Sequence, residues 1–82
     1  MTSTMTPTAL EPTEEHATKL IREGLWIAEV DVTLLHTGHE WSPYLSPADV
    51  RRLDAVRAAL RAGDIASAAR EARVFELRAV AA

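Results

Sequence analysis

Between residues 13 and 36 the apolar side chains gather on one arc of a helical wheel. Ala17, Leu20, Ile21, Gly24, Leu25, Ile27, Ala28, Val32, Leu34 and Leu35 face an opposite arc of Glu15, Thr18, Lys19, Arg22, Glu23, Glu29, Thr33 and His36. The 3.6-residue phase is the same before and after Gly24, so the pattern predicts one long helix. Thr13 is a suitable N-cap, and Glu14 and Glu15 would then sit at the positive end of the helix dipole. A second pattern competes. Trp26, Ala28, Val30, Val32 and Leu34 alternate with their neighbours over residues 26–35, a stretch rich in β-branched types, as a strand would. Gly24 would then cap a shorter helix. Three residues fit the helix poorly: Asp31 falls on its apolar arc, and Trp26 and Val30 fall on its polar arc.

After a loop over residues 37–46, punctuated by Gly38 and Pro43, comes the clearest start signal in the chain. Ser46 is an N-cap, Pro47 takes the first helical position and Asp49 stands at the third position of a capping box. Val50, Leu53, Val56 and Leu60 form the stripe to be buried. Gly63 ends this helix and Asp64 caps the next, which runs on Ile65, Ala68, Ala69 and Ala72. Small buried residues let the two helices lie close together as a hairpin. Beyond Ala72 the helical phase fails and RVFELRAV alternates, which predicts an extended tail. An isolated strand is not stable, so it must pack on the helices, pair with residues 26–35 or pair with another chain.

The resulting fold expectation is a mainly α, three-helix domain over residues 13–82, with an extended C-terminal tail. Its alternative is an α+β domain in which 26–35 pairs with 73–80. Residues 1–12, rich in Thr and Pro, are read as a flexible tail. Length allows one domain, and 82 residues bury only a modest core. There is no cysteine, which excludes disulfides and thiolate metal sites. No apolar run is long enough to span a membrane, and the cytoplasm is the expected compartment.

Charge is unevenly spread. Residues 1–45 hold two basic and seven acidic side chains; residues 46–82 hold seven arginines and five acidic side chains. Such asymmetry can offer an acidic face to a basic partner. Asp31 on the apolar arc needs a partner, because a buried lone carboxylate is costly. Arg57, beside the stripe of the second helix, is the expected one, forming a structural ion pair.

Catalytic chemistry finds no footing. No serine sits in a nucleophile context, and the three glycines build no phosphate loop. His36, His39 and Glu40, with His16 and Asp31, form the densest polar cluster, but their spacing matches no zinc motif. The reading is therefore not an enzyme, with no catalytic residue, metal, cofactor or small-molecule ligand. Arg51, Arg52, Arg57 and Arg61 are scattered around their helix rather than gathered into a stripe.

The stretch EWSPYLSPADVRRLD through ALRAGDIASAAREARVFELRAVAA resembles short uncharacterised open reading frames of proteobacteria, some carried on phages and other mobile elements. The resemblance covers the C-terminal half and carries over no functional residue. A mobile-element setting implies small inhibitors or regulators of the anti-CRISPR or antitoxin type. The favoured function is therefore a protein-binding module whose partner is another protein, or a second copy in a homodimer. The expected contact residues are Glu23, Trp26, Glu29, Val30, Phe75 and Leu77, since aromatic residues amid charge are typical interface anchors. The alternative is a nucleic-acid-associated regulator using the Arg-rich C-terminal half.

Overall fold

The computed structural model describes residues 13–38 and 42–81. The expected flexible tail over 1–12, and His39 and Glu40 of the polar cluster, lie outside the described residues. The elements in chain order are β1 (Thr13–Glu23), β2 (Trp26–His36), β3 (Tyr44–Leu45), α1 (Pro47–Arg61), α2 (Ile65–Glu71) and β4 (Arg73–Glu76). Four antiparallel strands make one sheet with β2 at its centre. β1 pairs along the whole of one side of β2, while β4 and β3 share the other side.

The long first helix and the three-helix domain are therefore corrected: residues 13–36 form a β-hairpin, and the domain is mainly β. Period two accounts for every residue that violated the helical wheel. Trp26, Ala28, Val30, Val32 and Leu34 point to the helix side of the sheet, and Ile27, Glu29, Asp31, Thr33 and Leu35 to the outside. The pairing of 26–35 with 73–80, weighed second from the sequence, is present between Trp26–Glu29 and Arg73–Glu76. β1 is made largely of residues with no preference for strands, yet pairing with β2 overrides that propensity. The reversal is a two-residue turn at Gly24 and Leu25. Gly24 has φ +61° and Leu25 is not left-handed, the pattern of a type II′ turn, which matches the twist of the flanking strands.

α1 and α2 cover the inner face of the sheet. Ile21, Ala28, Val30 and Val32 from the sheet meet Val56, Leu60 and Ala68 from the helices in one buried cluster. Trp26, Leu45, Leu53, Ile65 and Val74 pack around it. Val50, expected in the buried stripe, is 43 % exposed. The helical signals of this half are present in the structure. Ser46 caps α1, its Oγ accepting from the Asp49 N–H at 3.1 Å. Gly63, at φ +75°, donates to the Leu60 carbonyl, and Asp64 N–H reaches back to Ala59, the two bonds of a Schellman ending. The Asp64 side chain then caps α2 by accepting from Ser67. Both hydrogen bonds from Ser67 hold the Asp64 carboxyl below its ordinary pKa.

Candidate protein-interaction site

The two outer edges of the hairpin are treated in opposite ways. In a two-residue turn the carbonyl of the first residue accepts from the N–H of the fourth, so Glu23 and Trp26 form a hydrogen-bonded pair. Alternation from that pair directs the backbone groups of even-numbered β2 residues toward β1. Those of odd-numbered β2 residues face the other way. The odd set finds strand partners at both ends. Leu25 carbonyl accepts from Leu77 N–H, Ile27 and Glu29 pair with Phe75 and Arg73, and Leu35 pairs with Tyr44.

Between β4 and β3 lies a gap at Asp31–Thr33 where no strand reaches β2. Two side chains of α1 fill it. Asp49 Oδ2 accepts from Thr33 N–H at 2.8 Å, and Arg52 donates to the Asp31 carbonyl at 3.0 Å. Asp49 and Arg52 also pair with each other at 3.0 Å, and Arg52 Nε reaches Glu71 of α2. Partial burial works against the Arg52 charge, but its hydrogen bonds to Asp49 and Glu71 prevail and hold its pKa above the ordinary value. The acidic residue read from the sequence as a capping-box member thus directs its carboxylate to the sheet.

β1 has no such cover. By the same phase, the backbone groups of Glu14, His16, Thr18, Leu20 and Arg22 point away from β2. Among the described residues, no strand, helix or side chain pairs with them. The strand makes eleven consecutive register pairs with β2, without a bulge, and contains no proline. Long unpaired edges are templates for another strand, and here only charged side chains such as Glu15 and Lys19 temper that tendency.

Among the described residues, no element packs on the sheet face away from the helices. Leu20 (61 % exposed) and Phe75 (48 %) flank Ile27 near the hairpin turn, and Tyr44 lies beside Leu35 at the opposite end. Between these apolar ends, Arg73 binds Asp31 at 2.8 and 3.1 Å and Glu29 at 3.0 Å. The Arg73 hydrogen bond, more than any other influence, holds the Asp31 carboxyl below the ordinary carboxylate range. Asp31 and then Glu29 hold Arg73 above its usual value.

This arrangement corrects the expected Asp31–Arg57 pair. Asp31 is exposed on the outer face and partners Arg73, while Arg57 lies 3.6 Å from Asp54 within α1. Of the expected contact residues, Val30 is fully buried and so is not offered to a partner, while Trp26 is half-buried and packs one side against the core. Glu23 pairs with Arg61 and Glu29 with Arg73, so much of the acid of the first half meets arginine of the second inside the domain. Leu77 is half-buried, and Phe75 alone of the apolar set stands well out from the surface. His36 Nε2 lies 2.8 Å from Glu15 Oε1. Among the described residues no group of three or more His, Asp or Glu is placed to hold a metal ion, and no helix is long and apolar enough to cross a membrane.

None of the residues of this edge, Glu14, His16, Thr18, Leu20 and Arg22, is among the contact residues expected from the sequence. The one signal that could have found them is the Glu-Gly-Leu-Trp turn read as a hairpin. Compared with family models, curated proteins and solved structures, the chain matches none.

Proposed function

We propose that the domain is a small protein-binding module that takes an extended segment of its partner along β1, as an added strand of the sheet. One observation carries this reading. Among the described residues, the far edge of β2 is paired with β4 and β3, and Asp49 and Arg52 bond to it in the gap between them, whereas the β1 edge is bare. Strand addition draws affinity from main-chain bonds and specificity from alternate side chains. Leu20 on the outer face of β1 supplies apolar contact beside the edge. Capture of this kind would let the domain act as an inhibitor or regulator by occupying a strand of its partner.

The arginine-based alternative has less support. Arg52, Arg57, Arg61 and Arg73 are each engaged by carboxylates, which leaves them less available to phosphates. Steeply salt-dependent retention on DNA would reverse that preference.

Selection of displayed random peptides on the immobilised domain tests the reading. Proline-poor, extended binders that lose affinity to a folded Thr18→Pro variant are expected, because proline removes a donor from the edge. Failure to select any binder, or binders indifferent to Thr18→Pro, would contradict it.

A further inference from the structure

The charge order along β1 is its own complement. Acidic Glu14 and Glu15 lie near one end, and Lys19 and Arg22 toward the other. An antiparallel strand placed against the edge must put residues of equal parity opposite each other, because the outward-facing backbone groups belong to the even set. Only a few registers with a second copy of β1 satisfy this, and they can be compared residue by residue.

Centred on Lys19, the register sets Lys19 against Lys19 and Glu15 against Glu23, both repulsive. Centred on Ala17, it relieves those clashes and sets Glu15 against Lys19 twice, but it overlaps only residues 13–21 and leaves Arg22 and Glu23 beyond the contact. Centred on Thr18, it uses all eleven residues. Glu14 then faces Arg22 of the second copy, and by symmetry the pair occurs twice. Glu15 faces Ile21, His16 faces Leu20, Ala17 faces Lys19, and Thr18 faces itself, with no like charges directly opposite. Lys19, which points to the helix side opposite Val30, lies diagonal to both Glu15 and Lys19 of the second copy, an attraction and a more distant repulsion. All five even positions become hydrogen-bonded pairs, giving about ten main-chain bonds.

We infer that the segment received along the β1 edge is β1 of a second copy, antiparallel across a twofold axis through Thr18, with Glu14 facing Arg22. The inference rests on the strand-addition reading and names its occupant. It makes the domain a homodimer with one continuous sheet, both helical layers on the same side and both outer faces joined. The contact is isologous, so the assembly closes at two.

Sedimentation equilibrium on the full chain tests this. Glu14→Arg sets two positive charges opposite each other, and Arg22→Glu sets two negative charges opposite each other. Each variant is expected to weaken the dimer about tenfold or more. An equimolar mixture of the two variants restores both pairs and is expected to dimerise like the wild type. Both positions are exposed, so circular dichroism should show native folds. Thr18→Pro is expected to abolish the dimer. A wild-type chain that stays monomeric at every accessible concentration would overturn the inference, while peptide binding lost on Thr18→Pro would show that strand addition itself stands. A dimer indifferent to all three substitutions would place the contact on another surface. One that yields to Thr18→Pro but not to charge reversal would overturn the Thr18-centred register.

Discussion

The backbone N–H of Thr33 donates to Oδ2 of Asp49 at 2.8 Å, so a helix side chain stands where a neighbouring strand would otherwise supply a carbonyl. Because Asp49 is nearly buried and also pairs with Arg52, the bond is charge-assisted and shielded from water. Asp49→Ala should lower stability by about 2 kcal/mol, the range for a lost hydrogen bond to a charged group. A urea titration with a lower midpoint and unchanged slope, together with faster exchange of the Thr33 amide, would show it.

Val30 and Phe75 make opposite predictions from similar chemistry. Val30 is fully buried on the inner face, whereas Phe75 is half exposed on the outer face. Val30→Glu buries a carboxylate without a partner and should unfold the chain. Phe75→Glu should leave it folded, within about 1 kcal/mol of the wild type. Circular dichroism melts of the two variants separate the faces directly.

How far this contrast was legible in advance differs between the halves of the chain. Ser46, Pro47, Gly63 and Asp64 act on their immediate neighbours, so caps and helix ends could be read from local sequence. The hairpin could not be read in that way. Ala17, Leu20, Ile21 and Leu25 satisfy a helical arc, yet the structure puts Leu20 on the outer face and Leu25 in the turn, and the pairing that decides this is non-local. Asp31, Trp26 and Val30, which fitted the helix badly, were the signal that period two was correct. The bare edge of β1 is a property of topology, since it depends on where β3 and β4 dock, and no residue of β1 announces it.

Gly63 closes α1 in a left-handed conformation, and a methyl group added there would meet no atom within 4 Å. Gly63→Ala therefore tests backbone strain alone. It should destabilise the domain by about 1 kcal/mol, read as a drop in the thermal midpoint.

The outer-face charge cluster has a signed pH dependence. Arg73 holds the Asp31 carboxyl below its ordinary value. A depressed folded-state pKa contributes stability above the unfolded pKa, and that contribution is lost as pH falls through the folded value. Arg73→Gln should return the Asp31 titration, followed by carboxyl NMR shifts, toward the ordinary range near pH 4. Stability of the variant should then change less between neutral and acidic pH. An Asp31 midpoint unmoved by the substitution would contradict the pairing.

Among the described residues β1 pairs on one side only, and its other side is open for a strand. Residue-resolved hydrogen exchange along β1 tests it most directly. At dilutions where the chain is monomeric, the amides of Glu15, Ala17, Lys19, Ile21 and Glu23 should exchange slowly, while those of Glu14, His16, Thr18, Leu20 and Arg22 exchange fast. Raising the concentration should slow the second set. Equal protection of both sets at every dilution would mean a helix or an already covered edge, and would contradict the account.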